Sequence, residues 1–403
     1  MYTNRRLLLY ALAGIFSLMT EPLYSEDATK EEQMSHLIKI FMCGDVMTGR
    51  GIDQILPHPS DPVLYEPYVK DAREYLELAE DMNGPIQKPV DFSYIWGDAL
   101  EEFKQMAPDV KIINLETSIT ESDDYWKGKS IHYRMSPKNI SGLTMAKIDF
   151  CSIANNHILD WGHSGLKETM ETLKKANMGY AGAGNNVKES EAPAVINVRR
   201  KGRVIIFSYG SETSGIQSDW AAAADRPGVN LLEDFSDKTL RHIKDNIGKV
   251  KQPGDIVIFS VHWGGNWGFD IPRSQIEFAH KLIDDASVDI IHGHSSHHVK
   301  GIEVYKDKLI LYGAGDFLSD YEGITGYEEF RDDLSLMYFA GVDALTGKLV
   351  YLQMIPTQVK RFKVNHATGT NALWLRETLN REGKKFNTSV EMKKDHALFL
   401  KWM

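Results

Sequence analysis

Short apolar segments alternate with amphipathic segments along most of the chain. The apolar segments are rich in β-branched residues and lie at 37–46, 110–119, 148–156, 192–198, 203–210, 255–263, 289–294 and 308–317. Apolar residues at helical spacing lie in 96–106, 136–147, 165–177, 236–251, 271–286 and 371–386. Nearly continuous apolar strands are typical of sheets that are covered on both faces. The alternation therefore predicts an α/β fold in which helices cover the sheets.

Two stretches depart from this alternation. From residue 334 onward, apolar residues form successive antiparallel strands with a turn at 345–348, and we expect them to complete the main sheets. Residues 53–95 are interrupted by prolines and contain one helical segment, so we interpret them as an insertion that lies near the functional site. The predicted folded domain extends over 37–386.

The N-terminus has the pattern of an export signal. Two arginines precede the apolar segment 7–19, and a polar segment follows it. This order is typical of a secretory signal peptide, and the apolar segment is short for a bilayer span. We predict a signal peptide at residues 1–25 and an exported mature protein that is periplasmic, extracellular or bound to the cell surface. An uncleaved N-terminal anchor is the alternative, and it would be the protein's only membrane contact.

The overall charge restricts the partners of the chain. The 403 residues are 42% hydrophobic and 25% charged, which is ordinary for a globular protein, and their formal net charge is −10. Nucleic acids are bound by basic surfaces, so we expect no nucleic-acid partner. The two cysteines, Cys43 and Cys151, lie in apolar segments, which favours buried free thiols.

Five predicted strands end in polar residues that can bind metal ions. These residues are Asp45; Asn114 and Glu116; Asn155, Asn156, His157 and Asp160; His262; and the histidines of "HGHSSHH", among them His294 and His297. Each alone has an ordinary explanation as a turn, a helix cap or a packed histidine. Buried carboxylates and imidazoles are costly unless they are paired or bound to metal, and ligand sites in α/β sheets gather at the carboxyl ends of strands. Together the residues predict one site with oxygen and nitrogen ligands, which suits Mn, Fe or Zn.

The same segments resemble a known family when they are taken in order. The motifs "GDVMTGRGI", "NLETSIT", "ANNHILDWG", "HWGGNWG", "GHSSHHVKGIEVY" and "LILYGAGDFLSDY" resemble those of the poly-γ-glutamate capsule-synthesis (CapA) family, which belongs to the calcineurin-like metallophosphoesterase superfamily. The resemblance covers roughly residues 40–360. It implies a calcineurin-like metallophosphoesterase fold, with two facing β-sheets flanked by helices and a dinuclear site at the strand ends.

The resemblance also implies a role for each polar residue. One or two divalent metal ions (Mn, Fe or Zn) would be held by Asp45, Glu116, Asn156, His262, His294 and His297. Among these ligands, Glu116 would be the bridging carboxylate. His157 would donate a proton to the leaving oxygen or stabilise the oxyanion, and Asp160 would orient His157. A turn or a helix cap is the alternative role for Asp160.

Two departures from the superfamily motifs bear on activity. Met47 stands where the superfamily has a metal-binding histidine, so one metal would lose a ligand. The fifth motif is wider than Gly-His-x-His, so its second histidine is His297 or His298, and the spacing to "GIEVY" favours His297. We expect His292 to be buried behind His294, since it lies two residues earlier in the same strand.

Two functional hypotheses follow. The first is an exported metal-dependent hydrolase, linked to capsule or poly-γ-glutamate synthesis, that acts on a phosphoester or on an anionic polymer. The second is a non-catalytic accessory protein that binds or exports a capsule polymer together with the capsule-synthesis machinery. A cytoplasmic nucleotide phosphatase is disfavoured by the predicted signal peptide.

Overall fold

The structure is a computed structural model that describes residues 36–403. The predicted signal peptide, residues 1–25, lies outside the described residues. The described helices are α1 (Arg50–Ile55), α2 (Arg73–Asn83), α3 (Ala99–Met106), α4 (Ser141–Met145), α5 (Gly162–Lys175), α6 (Val187–Ser190), α7 (Asp237–Gly248), α8 (Arg273–Ala286) and α9 (Gly369–Gly383). Within residues 36–403, none of them is both long enough and apolar enough to cross a membrane.

The strands form two large sheets and two short pairs. The described strands are β1 (Leu37–Val46), β2 (Val110–Leu115), β3 (Ser118–Ile119), β4 (Arg134–Met135), β5 (Phe150–Ser152), β6 (Gly179–Ala181), β7 (Ala183–Gly184), β8 (Ala194–Val198), β9 (Gly202–Ser211), β10 (Gly228–Val229), β11 (Leu231–Leu232), β12 (Asp255–His262), β13 (Ile290–His294), β14 (Ile302–Tyr305), β15 (Lys308–Leu311), β16 (Asp316–Leu318), β17 (Leu334–Asp343), β18 (Leu349–Val359), β19 (Val364–His366), β20 (Thr388–Met392) and β21 (Leu398–Trp402). All eight predicted apolar segments contain a strand.

The first sheet is mixed and has the order β20-β21-β18-β17-β1-β2-β5-β6, with β16 beside β1 and β19 beside β18. Strands β1, β2, β5 and β6 are parallel, and β17 pairs antiparallel with β1. This pairing confirms that the C-terminal strands complete a main sheet. The sheet also continues past residue 386, the predicted end of the folded domain, because β21 pairs with β18 and β20 pairs with β21.

The second sheet has the order β11-β9-β12-β13-β15-β14, with β8 beside β9. Its central strands β9, β12, β13 and β15 are parallel. Strands β8 and β14 pair antiparallel with their neighbours.

One apolar core joins the two sheets. Ile40 of β1 and Ile258 of β12 belong to the same buried cluster, so the sheets face each other through these side chains. The next residue on each strand points to the opposite face, as the period of two requires. Phe41 therefore packs with helical residues such as Phe103, and Phe259 packs with residues of α7 and α8. The predicted α/β fold, with helices covering the sheets, is confirmed.

The chain crosses from the second sheet to the first between β15 and β16. At this crossing the backbones of Gly44 and Gly315 are in contact, and the amide of Asp45 donates to the carbonyl oxygen of Gly315 (2.9 Å). A Cβ atom on Gly44 would lie only 1.6 Å from that oxygen. Glycine at position 44 therefore allows β16 to lie beside the end of β1.

Candidate metal centre

The carboxyl ends of both sheets meet at one buried polar cluster. Asp45 is near the end of β1, Glu116 follows β2 directly, and Asp316 begins β16 opposite Asp45 in register. From the second sheet, His262 and His294 end β12 and β13 and are register partners. All five side chains are buried. Parallel strands thus place Asp45, Glu116, His262 and His294 at one edge, as their positions in the sequence predict, and Asp316 joins them from the start of β16.

Two imidazoles and one carboxylate form the first of two donor groups. Ligand atoms of Asp45, His262 and His294 all lie within 4.8 Å of one another. The Nδ1 atoms of the two histidines are 2.8 Å apart, and Nδ1 of His294 lies 3.9 Å from Oδ1 of Asp45. Burial lowers the pKa of both histidines, so neutral imidazoles face the group. Neutral imidazole is the form that binds metal ions.

Three carboxylates form the second donor group. Ligand atoms of Asp45, Glu116 and Asp316 lie within 4.8 Å of one another, and Asp45 is shared with the first group. Burial, reinforced by the charge of Asp316, raises the pKa of Asp45 to about 7. Burial and the charge of Asp45 also raise the pKa of Glu116. Negative charges held this close are unfavourable without a compensating cation, so the donor set fits divalent metal ions.

Amide side chains orient the shared carboxylate. Nδ2 of Asn114 donates to Oδ1 of Asp45 (2.7 Å), and Nδ2 of Asn155 donates to Oδ1 of Asn114 (3.1 Å). The predicted ligand Asn156 lies on the other side of the cluster, where its Oδ1 is 3.0 Å from Nε2 of His262. The two neighbouring asparagines therefore have different contacts: Asn155 supports Asp45 through Asn114, and Asn156 contacts His262.

His157 lies at the edge of the cluster and is held from behind by Asp160 and Lys129. Its Nδ1 is 2.7 Å from Oδ2 of Asp160, and its Nε2 is 3.8 Å from Oε1 of Glu116. Nζ of Lys129 donates to Oδ1 of Asp160 (2.5 Å), also donates to the carbonyl oxygen of Asn156, and lies 2.9 Å from Nδ1. Burial, and next to it the charge of Lys129, lowers the pKa of His157. The contact to Asp160 leaves Nε2 as the nitrogen that faces the carboxylates.

The segment 53–95 reaches His157 through an arginine. Arg50 is buried and makes a bidentate contact with Asp320, and its Nη1 donates to Oε1 of Glu66 in this segment (3.0 Å). The guanidinium lies 4.7 Å from the ring of Tyr133, and that ring stacks on His157 at 3.6 Å. The imidazole is therefore fixed on its face as well as at Nδ1.

The four histidines of 292–298 have different surroundings. His292 is buried between the sheets, with Nε2 2.7 Å from the carbonyl oxygen of Cys43 and Nδ1 3.2 Å from Oγ of Ser260. Nδ1 of His297 contacts the carboxylate of Asp316 (2.9 Å). His298 stacks on Phe330 instead. Of the two histidines that the widened motif left open, the structure thus brings His297 to the cluster, although no donor group of the described residues includes it.

Sequence reasoning missed two residues of this centre, Asp316 and Lys129. Asp316 had a usable signal, since "GAGDF" repeats the Gly-Asp order of "CGDV" after an apolar strand. Lys129 lies in a loop and had none. Met47, where the resemblance implies a histidine, has an Sδ atom that accepts a hydrogen bond from the amide of Gly49 (3.2 Å). The metal-binding and catalytic roles of the predicted residues stay predictions.

Comparisons with known proteins add a family match. The model of the family described as "Bacterial capsule synthesis protein PGA_cap" matches residues 39–321. The chain is 44% identical over 366 residues to a "Probable polyglutamine synthesis accessory protein" of Mycobacterium tuberculosis (strain CDC 1551 / Oshkosh), covering 90% of this chain and 95% of that protein. It is 26% identical over 299 residues to "Capsule biosynthesis protein CapA" of Bacillus anthracis, covering 74% and 62%. It is 30% identical over 227 residues to "PGA biosynthesis protein CapA" of Bacillus subtilis (strain 168), covering 56% of each chain.

Proposed function

Because the chain belongs to the bacterial capsule synthesis protein family PGA_cap, we propose that it is an exported metal-dependent hydrolase of capsule or poly-γ-glutamate synthesis. The observation that carries this proposal is the convergence of Asp45, Glu116, Asp316, His262 and His294 at one buried edge, with His157 beside them. The two facing sheets with outer helices support assignment to the calcineurin-like metallophosphoesterase fold. The substrate is a phosphoester or an amide bond of an anionic polymer.

The chemistry of the donor set supports a hydrolytic role. One or two divalent cations in such a set would activate water and stabilise the negative charge that develops on the attacked group. The chain itself carries a net charge of −10, so it has no general basic surface for an anionic polymer. Cations held by Asp45, His262 and His294 would instead attract the phosphate or carboxylate groups of the substrate.

His157 moves the proton in this proposal. Asp160 accepts the hydrogen bond from Nδ1, so the lone pair of Nε2 points towards Glu116 and the reacting groups. The lowered pKa of His157 keeps this nitrogen unprotonated at neutral pH. Nε2 therefore first accepts the proton of the attacking water and then returns it to the leaving oxygen or nitrogen. Lys129 keeps Asp160 ionised and in place throughout.

An aromatic surface next to the cluster supports the binding of an extended substrate. The rings of Trp267 and Tyr327 are stacked with their centroids 4.0 Å apart, and the centroid of the Trp267 ring lies 5.1 Å from that of His297. Tyr327 is 45% exposed, so one face of this stack is open to solvent beside the cluster. Trp161 and Trp263, which also follow predicted strands, are buried core residues and add nothing to this surface.

The test combines metal content with turnover. Purified protein is assayed with a bis-aryl phosphodiester and with poly-γ-glutamate in the presence of Mn²⁺, beside His157→Ala and the exposed control His242→Ala. We expect His157→Ala to lose about 10²-fold or more in kcat at unchanged metal content, which is the usual size of a general acid–base contribution. The control should equal the wild type. Stoichiometric metal without turnover of either substrate would exclude the hydrolase.

A specific observation also favours an accessory role as the second candidate. The thioether of Met47 is engaged by the amide of Gly49 and so offers no ligand where the superfamily has a histidine. One relative is itself named as an accessory protein of polyglutamine synthesis. If the chain only binds and transfers a polymer, poly-γ-glutamate should bind equally well to the wild type and to Asp45→Ala, and neither should cleave it.

A further inference from the structure

The two donor groups of the cluster differ in chemistry although they share Asp45. We propose that they select different cations: Asp45, Glu116 and Asp316 hold a hard cation such as Mn²⁺ or Mg²⁺, whereas Asp45, His262 and His294 hold Zn²⁺ or Fe²⁺. This inference rests on the metal centre of the proposed function and adds to it the identity of each position and a ligand, Asp316. It makes Asp45 the carboxylate that joins the two positions, rather than Glu116.

The carboxylate group is more than an accumulation of acidic residues. Asp45 is 1% exposed, Glu116 3% and Asp316 1%, so water does not screen their charges. Within residues 36–403, the Glu116 carboxylate faces that of Asp45, and the two can share a hydrogen bond only while one of them carries a proton. The nearest imidazole nitrogens, Nε2 of His262 and Nε2 of His157, are 3.7 and 3.8 Å away. Three buried carboxylates within 4.8 Å of one another are costly in their ionised forms, and a cation in the group removes that cost.

The placement of Asp316 is fixed by the fold. Strand β16 pairs parallel with β1, and Asp316 is the register partner of Asp45, so the two carboxylates lie side by side at the same edge of the sheet. Nδ1 of His297 contacts both oxygens of Asp316, at 3.1 and 2.9 Å. A histidine behind a ligating carboxylate orients it in the way that outer partners of metal ligands do. Asp316 thus supplies the ligand that Met47 cannot, but as an oxygen instead of a nitrogen.

The difference in donor atoms predicts the selectivity. Carboxylate oxygens suit Mg²⁺, Ca²⁺ and Mn²⁺, whereas imidazole nitrogens favour Zn²⁺ and Fe²⁺. With two imidazoles, the histidine group should bind Zn²⁺ ahead of Mn²⁺ at equal concentrations. With oxygen ligands alone, the carboxylate group prefers Zn²⁺ over Mn²⁺ less strongly than the histidine group does, so it accepts a hard cation that is more abundant.

The experiment is a competition on the chelator-treated full chain. It is loaded with one equivalent of Zn²⁺ and titrated with Mn²⁺, and each metal is counted by mass spectrometry after gel filtration and by the Mn²⁺ paramagnetic resonance signal. We expect one retained Zn²⁺ and one added Mn²⁺. Asp316→Asn should weaken Mn²⁺ at least about tenfold and keep Zn²⁺, whereas His294→Ala should do the reverse. Asp332→Asn, a carboxylate near Asp316 that is outside both groups, should change neither.

Each result decides a separate point. Displacement of Zn²⁺ by Mn²⁺, or loss of both metals in a folded Asp316→Asn protein, would overturn the inference. Turnover measured in the same preparations separates this failure from that of the proposed function. A hydrolase with two identical metals refutes only the selectivity, whereas selective binding of two metals without any turnover refutes only the hydrolase.

Discussion

Replacing Asp45 by asparagine should stabilise the metal-free protein while it removes metal binding. Burial and Asp316 raise the pKa of Asp45 from 3.8 to about 7 in the folded state. A folded pKa above the unfolded one contributes stability that is present at low pH and is lost as the pH rises through the folded value. A rise of about three pKa units corresponds to about 4 kcal/mol above pH 7. Asparagine does not ionise and so avoids that loss.

One hydrogen bond is lost in return. Asparagine keeps an oxygen for Nδ2 of Asn114, but its amide group cannot accept from the backbone amide of Ser295 as Oδ2 of Asp45 does (3.2 Å). That bond contributes about 1 kcal/mol, so the net gain at pH 8 is about 3 kcal/mol. Near pH 4 the folded carboxyl is protonated and the unfolded one is about half protonated, so the two proteins should differ in stability by about 1 kcal/mol or less.

The assay is urea unfolding in EDTA at several pH values between 4 and 8, followed by metal analysis at pH 8. Asp289→Asn is the control, since Asp289 is buried but accepts from Lys308 (2.5 Å) and Lys251 (3.1 Å), and its removal should destabilise the protein. If Asp45→Asn is less stable than the wild type at pH 8 without metal, then ionised Asp45 does not destabilise the folded protein, and the reasoning from its buried, like-charged surroundings is wrong. If the variant retains stoichiometric metal, Asp45 is not the shared ligand.

Three further outcomes follow from the same geometry. If His157 acts as proposed, Lys129→Met should lower turnover about tenfold or more at unchanged metal content, because its loss frees the Asp160 carboxylate that holds the imidazole of His157; equal turnover would refute that role. Gly44→Ala should cost more than about 3 kcal/mol in urea unfolding, because its Cβ would overlap the oxygen of Gly315, whereas Gly248→Ala, which has open space, should be neutral or slightly stabilising. The apparent affinity for Mn²⁺, measured by calorimetry, should rise between pH 6 and pH 8 as Asp45 loses its proton, and a flat profile would contradict the raised pKa.

The sequence predicted most of the fold because the sheets are covered on both faces. Short, continuous apolar segments that are rich in β-branched residues, such as 255–263, indicate buried strands, and the structure has β12 there. Strands β20 and β21 were missed because each is a segment of five residues, and the pairing of β21 with β18 makes them part of the sheet. The family was also confirmed, since its motifs keep their order over most of the chain.

Prediction of the site was less complete for a physical reason. Residues such as Asp45, His262 and His294 follow apolar strands directly, so their meeting follows from parallel strand order. Asp316 follows the crossing between the two sheets, which the sequence does not show. Its Gly-Asp pair is also typical of a turn, so the local pattern did not identify Asp316 as a ligand. Lys129 reaches Asp160 from a loop, and no periodic pattern encodes such a contact.

The crossing between β15 and β16 has a consequence for the order in which the centre forms. His262 and His294 come from one sheet, Glu116 from the other, and Asp316 is placed only when residues 312–315 join the two. His292 adds a second link between the sheets through the carbonyl oxygen of Cys43. Until the two sheets dock, the group of Asp45, His262 and His294 is incomplete, because its carboxylate comes from the first sheet and its imidazoles come from the second. Under the proposed function, cation binding by this group would follow sheet docking, and a chain exported in the unfolded state would bind that cation only after export.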